Sequence, residues 1–283
     1  MSTTTIIGID LGATNIRGAL VTDELHSDIV SRRIKSDGTQ EEVLEDVFWV
    51  VDQLIDSTVK AIGIGVPSVV DVAEGIVYDV QHIPSWKEVH LKSIMEARYK
   101  IPVYVNNDAN CFALGEFYFG KGKGSESLTG LTLGTGLGAG IITNGKLYSG
   151  YNCGAGEIGC ISYLDENLEF YCSGSFFQNV HQLDGLKVYE AAQKGEEQAL
   201  KLYDELGKHI GEAIKITMYA YDPQVIIMGG SVSQAYGYFH EAMWAQLKTF
   251  AYQKSVERIR IEISELENSG VLGAAALFYD AGK

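Results

Sequence analysis

Apolar positions along this chain follow two periods, one of short continuous runs and one of helical spacing. Runs at residues 6–9, 16–21 and 61–66 are mostly apolar and strand-like, and those at 103–105 and 225–228 are apolar throughout, which predicts buried strands. Residues 41–57 instead place Val43, Leu44, Val47, Val50, Val51 and Leu54 on one stripe, which predicts an amphipathic helix. Helices are also predicted at about 111–119 and 236–250, and 176–221 reads as largely helical. Residues 258–263 alternate as a half-exposed strand. The last element, 270–278, carries Gly273, Ala274, Ala275 and Ala276, a run small enough for close packing. Strands alternating with helices and preceded by hairpins predict α/β domains with mixed sheets.

Two of the turns are glycine-rich and alike. Gly8-Ile9-Asp10-Leu11-Gly12-Ala13-Thr14 leads into the run at 16–21, and Leu133-Gly134-Thr135-Gly136-Leu137-Gly138 leads into Ile141-Ile142. Such a turn points backbone N–H groups and small hydroxyls into a concavity that suits phosphate oxygens. Neither has the Gly-Lys-Ser/Thr of a P-loop, and neither runs into a helix as a dinucleotide turn does. The second is followed by Asn144-Gly145 between apolar runs, a two-residue hairpin signal. Each turn taken alone is also consistent with an ordinary hairpin. The pair points to two similar halves holding one nucleotide.

Composition narrows the classes. The 22 basic and 37 acidic residues leave a net charge of −15, which argues against a nucleic-acid partner. No stretch approaches the length of a membrane span, and the chain enters a strand directly after Met1-Ser2-Thr3-Thr4-Thr5, so a cytoplasmic protein without a leader is expected. Cys111, Cys153, Cys160 and Cys172 form no Cys-x-x-Cys pair, and reduced thiols are expected rather than a zinc site. Residues 120–125, Gly-Lys-Gly-Lys-Gly-Ser, read as a flexible joint and a domain boundary. The expected division is a smaller domain of residues 1–119 with the final helix at about 268–283, and a larger one of 120–267.

Asp108 follows the strand at 103–105 and opens a helix, at the end of a strand where α/β ligand crevices form. Asn107-Asp108 serves equally as a helix N-cap. Together with the two turns, several further segments resemble the ROK family of sugar kinases and sugar-responsive repressors, within the actin/hexokinase-like superfamily. Gly63-Ile64-Gly65-Val66-Pro67-Ser68-Val69-Val70-Asp71 is similar to a segment that usually carries Pro-Gly. Ile83-Pro84-Ser85-Trp86 is similar to Leu-Pro-x-Trp, and Asn107-Asp108-Ala109-Asn110 to the catalytic Asn-Asp-Ala-Asn. Gly154-Ala155-Gly156-Glu157-Ile158-Gly159 and Met228-Gly229-Gly230-Ser231 also match, in the family's order and over nearly the whole chain.

The resemblance implies an actin-like (ribonuclease H-like) fold of duplicated α/β domains around a central cleft. It implies a glucokinase- or fructokinase-like activity, ATP-dependent phosphorylation of a hexose at the C6 hydroxyl, by a homodimer. Asp108 would be the general base. Asp10 would hold Mg²⁺ through water, with Gly12, Ala13, Thr14, Gly134, Thr135 and Gly136 at the phosphates and Gly229 and Gly230 at adenosine. Ser68, Asn107, Asp108, Glu157, Cys160 and Glu169 would line the hexose, whose hydroxyls suit carboxylates and amides.

The chain also departs from the family. Cys160 stands where the family has a zinc-binding His, and the cysteine-rich zinc loop that should follow is missing. No structural zinc is therefore expected, and residues 150–174 should be mobile until sugar binds. Glu157 can also be read as a surface-loop residue, and Asp165, Glu166 and Glu169 as a solvated acidic face. A repressor would carry a DNA-binding segment ahead of Asp10, for which the sequence has no room. A catalytically silent sugar binder remains the alternative to a kinase.

Overall fold

The computed structural model describes residues 4–12, 14–23 and 27–282. Along the chain the first elements are β1 (Thr5–Leu11), β2 (Asn15–Val21), β3 (Val30–Arg33), α1 (Gln40–Asp52) and β4 (Val59–Val66). A small antiparallel sheet of β5 (Val69–Asp71), β6 (Ile76–Tyr78) and β7 (Glu88–Val89) follows, then α2 (Leu91–Tyr99), β8 (Val103–Asn107) and α3 (Asp108–Tyr118). Next come β9 (Leu128–Leu133), β10 (Leu137–Thr143), β11 (Lys146–Leu147), a 3-10 turn (Ile158–Cys160), β12 (Ser162–Tyr163), β13 (Glu166–Asn167) and α4 (Leu168–Cys172). The chain ends through α5 (Phe176–His181), α6 (Gly185–Gln193), α7 (Glu197–Tyr221), β14 (Val225–Gly229), α8 (Tyr236–Leu247), α9 (Gln253–Arg258), β15 (Arg260–Ile263) and α10 (Ser269–Ala281).

Two compact units result. One holds residues 1–124, 144–155 and 265–283, and the other 125–143 and 156–264. In the first, strands lie in the order β3-β2-β1-β4-β8, with β1–β2 antiparallel and β1–β4 and β4–β8 parallel. In the second, β10 is antiparallel to β9, β9 parallel to β14 and β14 parallel to β15. The order β2-β1-β4-β8 thus recurs as β10-β9-β14-β15 with the same polarity. Each half places its glycine turn between the first two antiparallel strands.

Strand alternation decides which side chains face which layer. On β1, Ile7, Ile9 and Leu11 join the core formed with Val43, Val47 and Val50 of α1. Ile6 turns the other way, toward Val271, Leu272 and Ala275 of α10, and Asp10 shares that face. Helix α1 begins on a capping box: the Thr39 hydroxyl accepts the Glu42 N–H, and the Glu42 carboxylate accepts the Thr39 N–H. The small residues of α10 let its backbone meet the sheet and α3, since a Cβ on Gly115 would lie 2.7 Å from the Ser269 carbonyl oxygen. In the second unit, α7 is the platform: its 25 residues bury Leu202, Leu206, Ile210 and Ile214 against the sheet.

The expected strands and helices are present, with boundaries shifted by a few residues. Asn144 and Gly145 have φ of 52° and 69°, the hairpin geometry read from their dipeptide. Two segments differ from expectation. Gly120 and Gly122 are tied down, because buried Glu116 accepts the Lys121 N–H at 3.1 Å and its carbonyl accepts those of Gly120 and Gly122. A buried carboxylate needs such donors, and the loop supplies them. The segment after Gly156 is a chain of short elements rather than an open loop.

Candidate functional site

The first glycine turn is built on β1 and β2. Gly12 N–H donates to the Asn15 carbonyl at 3.0 Å, and the Thr14 carbonyl accepts the Ile34 N–H at 2.9 Å. Ala13 lies outside the described residues. Hairpin register sets Asp10 opposite Arg17, and the guanidinium donates to the carboxylate at 2.9 Å. The carboxylate also faces Gly270 in the first turn of α10, where a Cβ would come within 2.9 Å of its carboxyl carbon. Helix N-termini favour negative charge, so Asp10 is held by a cation and a dipole together. Thr14 is exposed and opens onto a cavity of about 300 Å³ that Arg33, Lys35 and Ser36 also line.

Asp108 is the first residue of α3, at the carboxyl end of β8, and it is exposed. Asn107 is the N-cap of that helix. Its side-chain oxygen accepts from Ala109 and Asn110 N–H at 2.9 and 3.4 Å, and its amide donates to the Ser68 carbonyl at 3.2 Å. The Ser68 hydroxyl donates to the Tyr78 carbonyl. Asn107 and Ser68 therefore clamp each other and fix where Asp108 projects. Behind them Asn110 donates to Asn106 at 2.9 Å, and Asn106 donates to Ser149 at 3.4 Å. The buried Cys111 thiol, one turn along, is pushed well up by burial and then by the charges of Asp108 and Asp10, so it stays protonated.

The second turn is wrapped by the segment around α4. Gly134 N–H donates to Gly136 carbonyl at 3.0 Å, while its own carbonyl accepts Gly174 N–H at 2.7 Å. Ser175 donates its hydroxyl to the Thr135 carbonyl at 2.8 Å. The Leu137 N–H donates to Glu169 at 3.0 Å, and Glu169 also crowds the face of Gly136. A Cβ on Gly134 would meet no atom within 4 Å among the described residues, so this side of the turn is open. Gly230, at φ 89°, lies against the Leu133 carbonyl, and Gly229 pairs with Thr132, which brings that segment to the same turn.

Glu157, Cys160 and Glu169 fall together in this second unit. The Glu157 carboxyl is raised by partial burial and by the charge of Glu169, although its side chain still reaches solvent. The exposed Cys160 thiol is raised by burial, then by Glu157 and Glu169. Two carboxylates this close suit a ligand that donates hydrogen bonds. The segment that carries them is braced: the Tyr163 hydroxyl lies 3.0 Å from His209 Nδ1, and the rings of Tyr163, Tyr171 and Phe176 pack around that imidazole. Reading the sequence missed Arg17, though alternation along the hairpin could have paired it with Asp10. It also missed His209, which no local pattern connects to Tyr163.

Both units thus carry a glycine turn on the same strand order, which defines an α/β protein of the actin-like ATPase class. The chain belongs to the ROK family, whose model matches residues 6–281. It is 27% identical to a glucokinase of Thermotoga maritima over 96% of each chain. It is also 27% identical to a xylose repressor of Caldicellulosiruptor bescii, over 96% of this chain and 77% of that protein. Among solved structures, a ROK family glucokinase from Streptomyces griseus in complex with glucose and AMPPNP has a TM-score of 0.80. It is 27% identical over 96% of this chain and 98% of that one. No helix among the described residues is long and apolar enough to cross a membrane.

Proposed function

We propose that the protein transfers the γ-phosphoryl group of ATP to the C6 hydroxyl of a glucose-like hexose. The observation that carries this reading is Asp108, exposed at the first position of α3 and held there by the Asn107–Ser68 clamp. Asp108 takes the proton of the attacking hydroxyl, the new O–P bond forms, and the bond from the γ-phosphorus to the bridging oxygen breaks to release ADP. Such a transfer is mostly positioning and charge stabilisation. Thr14 and Thr135 contact phosphates together with backbone N–H groups at Gly12, Gly134 and Gly136, and the open side of Gly134 fits an anion. Asp10, whose carboxylate lies beside Arg17, is the residue that would hold Mg²⁺, and the metal would neutralise phosphate charge. Glu157, Cys160 and Glu169 hold hexose hydroxyls, and Gly229 and Gly230 admit adenosine.

The test is ADP release across a hexose panel with Asp108→Asn alongside. Removal of a positioned base costs about 10²–10⁴-fold in turnover. The variant should keep its sugar affinity by calorimetry, and near-normal turnover would overturn the assignment. A second reading, a sugar binder without turnover, is motivated by Cys160 in place of a His. It predicts hexose binding with no ADP release in the parent protein.

A further inference from the structure

The segment that carries Glu157, Cys160 and Glu169 is made of pieces too short to hold themselves. It consists of a three-residue 3-10 turn, two two-residue strands and a five-residue helix. Isolated elements of that size are not stable in water. Ile158, Leu168 and Cys172 anchor its inner side in the core, and Gly159 seats against Leu137 and Glu169. These anchors leave the hairpin of β12 and β13 projecting, with exposed Leu164 at its tip in the left-handed region at φ 52°.

What ties the hairpin back is Tyr163. Its hydroxyl meets His209 Nδ1 at 3.0 Å, across 46 residues of sequence, on the rigid platform of α7. Tyr171, two residues beyond Glu169 on α4, packs on both, with ring centroids 5.6 Å from Tyr163 and 5.1 Å from His209. Phe176 closes the cluster at 5.6 Å from His209. Burial lowers the His209 pKa from its ordinary value, and the titratable groups around it are Glu205, Glu212, Lys208 and His181. In the tautomer with its proton on Nε2, the neutral imidazole accepts a hydrogen bond from the Tyr163 hydroxyl at Nδ1.

We propose that Tyr163 and His209 are a positioning pair that sets hexose affinity by holding the 157–172 segment in its binding geometry. The pair touches no reacting atom. It works through Tyr171 on the helix that bears Glu169, and through β13, which leads into that helix. The inference rests on the reading of Glu157 and Glu169 as hexose ligands.

The experiment uses the full chain with Tyr163→Phe, His209→Phe and His209→Asn, the last restoring an acceptor near the Nδ1 position. Hydrogen exchange over 157–172 is measured without ligand, and D-glucose KM, ATP KM and kcat are measured in parallel. Loss of one such hydrogen bond corresponds to about threefold to tenfold. Both Phe variants should speed exchange in this segment and raise glucose KM by that factor, with ATP KM and kcat unchanged. His209→Asn should recover most of each change. Unchanged exchange in both Phe variants, acceleration spread over the whole chain, or faster exchange with unaltered glucose KM would each overturn the proposal. If the parent turns over no hexose, the functional reading fails, and exchange alone still decides whether the pair holds the segment.

Discussion

Replacing Gly273 by Ala should inactivate the protein from a distance, because the contact it breaks places Asp108. Gly273 lies on α10 with its Cα face against the Cys111 carbonyl of α3, and a Cβ there would fall on that carbonyl and stand 3.1 Å from the Cys111 Cα. Both partners are helical backbone, so no side chain can rotate away. Restoring even a tight contact requires the two helices to part by roughly 1 Å. Overpacking of this kind costs about 1–3 kcal/mol, and backbone against backbone belongs at the upper end. Cys111 is one turn beyond Asp108, so the displacement passes to the proposed base. A misplacement of about 1 Å can cost on the order of 10²-fold in rate. The control is Gly237→Ala on α8, where a Cβ meets nothing within 4 Å and a neutral or slightly stabilising effect is expected. Thermal unfolding and kcat with ATP and hexose decide it. If Gly273→Ala melts and turns over like the parent, the two helices are not held by this contact and the reasoning fails.

Gly134→Ala should leave stability within about 0.5 kcal/mol, as for a surface change. It should raise ATP KM, because the side that receives the methyl is open in the fold and is where the proposed function puts phosphate. Acid should weaken both the fold and hexose binding through His209. Its pKa in the native state is lowered from 6.5 by burial, so the unfolded chain binds the proton first. That contribution is whole above about pH 6.5 and is lost as the pH falls below it. Titrations of glucose KM on the parent and on His209→Asn separate this from Glu157, since only the parent should keep the His209 component. Elemental analysis should find no stoichiometric zinc, and chelator should leave the folded signal intact. One zinc per chain with loss of that signal would refute this.

Much of the molecule was legible in the order of residues. Continuous apolar runs marked most strands, Asn144-Gly145 marked a hairpin, and the small residues of the last helix marked a close contact. These are local signals, carried by turn chemistry and by the two periods of side-chain direction. The chemical candidates were legible for the same reason, since glycine turns and the Asn-Asp-Ala-Asn stretch are contiguous. What contiguity cannot express was decided by the tertiary structure. Asn107 and Ser68 clamp each other across two parallel strands, and Glu169 reaches the Leu137 N–H of the second turn from 32 residues away. The glycine-rich joint at 120–124 is held because Glu116 is buried beneath it. Within the segment 150–174, Tyr163 meets His209 of α7 from 46 residues away. The Ser68, Glu169 and His209 contacts each depend on a partner distant in sequence, brought near only by tertiary packing, and the joint depends on the burial of Glu116, which packing also decides.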